Sequence, residues 1–354
     1  MNPSFERLMA EATSLTRSGM LEEATAAIQA ALAGKVPTEQ AAAASRDTCV
    51  IDVEAREIRN DPVIVEAPCA TPSTGEFIAG SHAEAALTRD YKLYIPPGPH
   101  TQPLPLVVML HGCTQNPDDF ALGTGMNDAA LERGFFVLYP AQARKANTSR
   151  CWNWFKHNHQ RRGSGEPALL AGMTRAVMQR HAIDPQRVYV AGLSAGGAMA
   201  AILGDAYPDL YAAVGVHSGL PPGSATDVAS AFGAMKSGAP ATGRPRAVAT
   251  PPPTIVLHGD QDATVHPANG EQLVAACAAA GTPERLRARS AGGREYTRRC
   301  YRGADGRVLA EHWAVHGAGH AWSGGNPKGS YTDVQGPSAT EAMLDFFFMF
   351  KLHP

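Results

Sequence analysis

The sequence predicts an α/β protein: a mostly parallel sheet covered by helices on both faces. Three observations predict it. Short, nearly unbroken apolar runs recur along the chain, helical patterns alternate with them, and 354 residues at 44% hydrophobic content suffice to bury a large core. The strand-like runs fall at 91–95, 104–110, 135–139, 188–191, 212–216 and 254–257, and the helical patterns at 118–133, 168–181, 195–207, 270–280 and 339–350. A strand with one wet face alternates apolar and polar residues, so continuous runs fit strands buried on both faces. In such sheets the chemistry lies beyond the carboxyl ends of the strands, which directs attention to the loops that follow the runs.

Ahead of this pattern, residues 5–32 read as two short amphipathic helices broken at Ser18-Gly19. Leu8, Ala12 and Leu15 mark one apolar face, and Leu21, Ala24, Ile28 and Leu32 the other. A single helix pair cannot bury its own face, so this hairpin over 1–34 is expected to dock on the main domain, on a second copy or on a partner. Residues 35–76 lack sustained periodicity and read as a linker or wrapping segment, leaving 77–354 as the catalytic domain.

Composition excludes several classes. Lys plus Arg number 31 against 33 Asp plus Glu, a net charge of −2, which offers no surface for a nucleic acid or an acidic membrane. No run reaches the length of about 18 apolar residues that a membrane helix needs. Glu6, Arg7, Glu11 and Arg17 interrupt any signal-peptide core, an argument for the cytoplasm, whereas the even count of six cysteines leaves an oxidising compartment open. There is no HExxH, no CxxC and no dinucleotide fingerprint opening a βαβ unit, so no metal or other cofactor is expected.

One motif dominates. Gly192-Leu193-Ser194-Ala195-Gly196 follows the run Arg187-Val188-Tyr189-Val190-Ala191 and precedes a helical pattern. A strand that turns at once into a helix strains its central residue and tolerates only small neighbours, and it lifts the serine hydroxyl to the sheet edge. Such a hydroxyl needs a base and an orienting acid. The run 254–257 ends in His258-Gly259-Asp260-Gln261-Asp262, and Trp313-Ala314-Val315 leads into His316-Gly317-Ala318-Gly319-His320-Ala321-Trp322. The order Ser194, Asp262, His320 matches the order this architecture uses. Asp260 competes with Asp262, which is preferred for reaching one step further into its loop; His266 and His316 compete with His320. The run 104–110 enters His111-Gly112-Cys113, and the N–H groups of Cys113 and Ala195 are the expected oxyanion donors.

Four motifs together resemble one known family: His111-Gly112-Cys113-Thr114-Gln115, Cys151-Trp152-Asn153-Trp154-Phe155, the elbow continued through Gly197-Ala198-Met199, and Gly319-His320-Ala321-Trp322-Ser323-Gly324-Gly325. They are similar to the esterases of the poly(3-hydroxybutyrate) depolymerase family, relatives of feruloyl and acetylxylan esterases, over about 77–350. The resemblance implies an α/β-hydrolase fold and a metal-free serine esterase with its triad on Ser194, Asp262 and His320. It also implies a Cys113–Cys151 disulfide, with Cys277 and Cys300 as a second pair. Secreted family members typically carry a signal peptide and a separate substrate-binding domain, and the chain shows neither pattern. Trp322, Trp154 and His111 are expected to contact substrate, and Trp152 shares one strand face with Trp154 by its i, i+2 spacing. Expected substrates are 3-hydroxybutyrate oligomers or amorphous polyester. The rivals are plant-derived feruloyl or acetyl esters, or an inactive scaffold whose N-terminal helices bind a partner.

Overall fold

The computed structural model describes residues 74–240, 251–277 and 282–352. The helical hairpin expected over 1–34 and the segment through residue 73 lie outside the described residues. Ten described strands form one sheet in the order β1-β2-β4-β3-β5-β6-β7-β10-β9-β8. They are β1 (Glu76–Glu84), β2 (Leu87–Ile95), β3 (Leu104–Leu110), β4 (Phe136–Pro140), β5 (Ile183–Leu193), β6 (Ala213–His217), β7 (Thr254–Gly259), β8 (Glu284–Arg289), β9 (Glu295–Arg302) and β10 (Val308–Val315). From β4 to β10 neighbours pair in parallel, and an antiparallel pair flanks this block on each side. This is an α/β-hydrolase fold.

The inner strands read as continuous apolar runs because both of their faces are covered. Leu106, Val108, Val190 and Val216 point into a core closed by α3 (Gly165–Arg180) and α4 (Ala195–Ala206). The alternate residues Val107, Met109, Tyr189 and Leu257 face α1 (Pro117–Thr124), α2 (Met126–Arg133) and the last described helix, Ala339–Phe347. Tyr189 stacks on Phe347 of that helix with centroids 5.1 Å apart.

One local expectation is corrected, one helix is added and one is described in part. The helix expected over 118–133 is two helices, because Gly125 turns left-handed at φ 63° and caps the first. α5 (Val228–Ser237) is an additional helix, started by Asp227, which accepts a 2.8 Å hydrogen bond from the Ser230 N–H. α6 spans Ala268–Ala275, and the end of the pattern expected through 280 falls on undescribed residues.

The connections set the position of the site. From β3 the chain moves outward to β4, then returns across β3 to β5. The loops leaving β3 and β5 therefore diverge, and a crevice opens between their carboxyl ends. His111–Gln115 and Ser194 lie at those two ends.

Candidate active site

Ser194 sits between β5 and α4 at φ 58° and ψ −120°, a strained conformation for any residue with a side chain. A Cβ on Gly196 would collide with the Leu110 carbonyl and lie 2.6 Å from the His111 oxygen, so only glycine lets the elbow touch the loop after β3. The Ser194 N–H donates to the His217 carbonyl at 2.9 Å. Ala195 is the first residue of α4, where an N–H has no acceptor within the helix and the dipole favours negative charge.

Two strands further along the sheet, β7 and β10 pair in parallel with Val315 opposite Gly259. Their following loops consequently leave side by side, and Asp262 Oδ2 accepts from His320 Nδ1 at 2.7 Å. Asp262 Oδ1 accepts from the N–H groups of Thr264 and Val265 at 2.9 and 2.8 Å, and the His258 Nε2 lies 3.4 Å from Oδ2. Burial alone would raise the Asp262 pKa. Hydrogen bonds from His258, His320 and the Val265 N–H overcome it and hold the carboxyl well below the ordinary range. Asp260 is engaged elsewhere: it pairs with His316 Nδ1 at 2.9 Å and accepts the Gly317 N–H at 2.7 Å, clamping the base of the loop. Of the two aspartates, Asp262 is the one bonded to His320.

His217 at the end of β6 fills the space between elbow and pair, a role the sequence reading missed. Its Nε2 accepts from the Ser323 N–H at 3.0 Å, and its ring stacks on Trp322 at 5.2 Å. Burial, together with nearby His258 and His320, lowers its pKa to about 3, so it stays neutral. Thus β6 links Ser194 to the segment that carries His320. No hydrogen bond joins the Ser194 hydroxyl to His320 among the described residues; such bonds often tighten only when substrate arrives.

The loop after β3 is braced from three sides. Gly112 N–H donates to Gln115 Oε1 at 2.9 Å, Thr114 N–H donates to the Ser149 carbonyl at 2.6 Å, and a disulfide joins Cys113 to Cys151. His111 Nε2 accepts from the Gln142 N–H at 3.1 Å, so Nδ1 carries the proton donated to Gly112 O at 2.7 Å. Behind Gln142 lies fully buried Glu166, which accepts from Gln142 Nε2 at 2.6 Å, Asn153 N at 2.7 Å and Arg89 Nη2 at 3.2 Å. Burial would raise the Glu166 pKa, yet the hydrogen bonds from His159, Gln142 and Asn153 keep it below the ordinary value. This ionic knot ties β2, the loop after β4 and α3 to the loop after β3.

The three side chains expected to contact substrate are buried in the structure. Trp322 is 1% exposed, packs edge-on against Phe120 and donates to Thr340 Oγ1 at 3.2 Å. Trp154 belongs to the core on the α3/α4 side, and His111 is buried with both ring nitrogens engaged. Trp322 and Trp154 pack in the two cores, whereas His111 also lines a cavity at the carboxyl ends of β3 and β4. Trp152 and Trp154 lie in a loop rather than on a strand, where Trp152 Nε1 donates to the His111 carbonyl at 3.1 Å. Half-exposed Tyr331 stands at the rim instead, its hydroxyl 3.2 Å from Thr114 Oγ1. Tyr331 and Thr114 both hold left-handed backbone, at φ 53° and 68°, a feature with no signature in residue identity.

The expected Cys277–Cys300 bond is not formed. Cys300 is buried mid-strand in β9 between Glu311 and Glu284, whereas Cys277 follows α6 and packs against the core. Among the described residues no cluster of three or more His, Cys, Asp or Glu is placed to hold a metal, and no helix is long and apolar enough to cross a membrane.

An α/β-hydrolase sheet with a strained serine elbow and an aspartate–histidine pair on the same sheet edge defines the class of serine hydrolases. The chain belongs to the family described as esterase PHB depolymerase, whose model matches residues 89–298. That span holds Ser194 and Asp262 and ends before His320. The chain is 35% identical over 230 residues to poly(3-hydroxyalkanoate) depolymerase C of Paucimonas lemoignei, covering 61% of this chain and 54% of that protein. It is 33% identical to feruloyl esterase B of Thermothelomyces thermophilus, covering 39% and 47%. The chain thus spans about half the length of these curated relatives. Among solved structures, an acetyl xylan esterase from Aspergillus awamori shares the fold, with a TM-score of 0.56 at 18% identity, covering 73% of this chain and 94% of that one.

Proposed function

We propose that the chain is a serine esterase that works through an acyl-enzyme, with Ser194 as nucleophile, His320 as base and Asp262 as the acid that orients it. The Ser194 Oγ attacks the ester carbonyl while its proton passes to His320 Nε2. The N–H groups of Cys113 and Ala195 hold the oxyanion. The carbon–oxygen bond to the alcohol breaks as His320 returns the proton, and water, deprotonated in turn by His320, releases the acid and restores Ser194. The observation that carries this reading is the 2.7 Å Asp262–His320 bond on the sheet edge that also bears the elbow.

The proposed substrates are 3-hydroxybutyrate oligomers or amorphous polyester, supported by family membership and by the name of the Paucimonas relative. The name of the Thermothelomyces relative supports a second reading, a feruloyl or acetyl esterase with the same machinery. Steady-state kinetics on hydroxybutyrate oligomers, p-nitrophenyl acyl esters and methyl ferulate separates them. The first reading expects kcat/KM for the oligomers to exceed that for methyl ferulate, and the reverse order overturns it.

A further inference from the structure

Beside the oxyanion loop lies a second feature that the ester chemistry leaves unused. The carboxyl ends of β3 and β4 open onto a cavity of about 480 Å³, with His111 and Gln142 on its floor and Arg144 and Arg150 on its wall. Neither guanidinium has a hydrogen-bonded or ion-paired partner among the described residues. The acidic side chain on the same wall, Asp118, is already neutralised by Lys92 at 2.6 Å. Among the described residues the cavity therefore presents uncompensated positive charge beside a candidate catalytic centre. Arg150 is also half-buried and held at φ 53°, a conformation that an unbranched polar chain adopts only where its surroundings impose it. The turn that imposes it is built by Asn147, whose Oδ1 accepts from the N–H groups of Ser149 and Cys151 at 3.0 and 3.3 Å. Cys151, the next residue, is bonded to Cys113, so the position of Arg150 is fixed covalently relative to the oxyanion loop.

We propose that Arg150, assisted by Arg144, forms a carboxylate subsite for the free acid end of a short hydroxyacid oligomer. The inference rests on the esterase reading above and sharpens its substrate class. β4 and β3 are the two strands preceding β5 in the sheet order, so at a strand spacing of about 4.8 Å the cavity lies roughly 5–10 Å along the edge from the elbow. One or two hydroxyacid units of the leaving alcohol span that distance, which places their terminal carboxylate against the guanidinium fork. Feruloyl and acetyl esters of sugars have no such carboxylate, so this subsite discriminates between the two substrate classes.

The test compares kcat/KM for the 3-hydroxybutyrate trimer as free acid and as its methyl ester. Wild-type protein is expected to favour the free acid about tenfold at low salt, through a charge-assisted contact that 0.5 M NaCl weakens. In R150Q the preference falls to near unity, with the change in KM. R150K, which keeps the charge and loses the fork, retains part of it and serves as the folding control. A wild-type ratio near one, or a ratio unchanged in R150Q, overturns the subsite while leaving the esterase reading intact. Turnover of p-nitrophenyl butyrate with no hydrolysis of either trimer overturns both the hydroxyacid reading and the subsite.

Discussion

Mild acid should destabilise this protein far more than its net charge of −2 implies, because the fold buries imidazoles in neutral form. Burial lowers His111 to about 4, His217 to about 3 and His312 to about 3, from an ordinary value of 6.5. Each folded value lies below the unfolded one, so unfolding takes up protons between them and stability drains away as pH falls through 6.5. Integrated from pH 7 to pH 5, each histidine costs about 2 kcal/mol, and the three together cost about 6 kcal/mol. That is a large share of the 5–15 kcal/mol that typically holds a domain together, so roughly half the fold's margin is at stake. Urea unfolding followed by tryptophan fluorescence at pH 7, 6 and 5 measures the slope. His312 packs in β10 beside Arg299, outside the candidate site, so H312Q should reduce the uptake near pH 5 from about three protons to about two. Stability that is flat between pH 7 and 5, or a slope unchanged in H312Q, refutes the reasoning.

Three further outcomes are expected. D262N should lower kcat by about 10⁴ with folding retained, whereas D260N should lower kcat by less than tenfold, since Asp260 holds His316 rather than His320; p-nitrophenyl butyrate kinetics on both proteins check this. Removing the Cys113–Cys151 bond, which links residues 38 apart, by double serine substitution should cost about 4 kcal/mol in urea unfolding and reduce kcat by loosening the oxyanion loop. W322F should lower Tm and kcat while leaving the relative KM values of short and long acyl esters unchanged, because the indole is buried beneath His217; a KM change confined to long acyl chains would return Trp322 to the pocket.

What was legible in the sequence follows from what each segment buries. The inner strands are covered on both faces and announce themselves as unbroken apolar runs, and the glycines at 192 and 196 report a backbone approach that admits nothing larger. The edge strand β8, Glu-Arg-Leu-Arg-Ala-Arg, is almost wholly exposed and pairs with β9, so no apolar run marks it. Helix α5 buries Ala231 and Ala234 while Val228 and Phe232 stay exposed, so its large apolar residues do not outline a core face. At the site, motif order led to Ser194, Asp262 and His320, but not to the surroundings of substrate. Those arise where distant loops meet: Gln115 Nε2 donates to the Ser330 carbonyl at 3.1 Å across 215 residues, and Tyr331 reaches Thr114 beside it. Trp322 is expected as lining because it lies two residues beyond His320, and in the structure it and Trp154 are both buried.

The hydroxyl on the elbow after β5 is the proposed reacting atom. Fluorophosphonate labelling followed by peptide mass spectrometry tests it most directly. One adduct per chain is expected, on the peptide bearing Ser194, absent in S194A and slowed strongly in H320Q. An adduct on another residue, or labelling that persists in S194A, contradicts it.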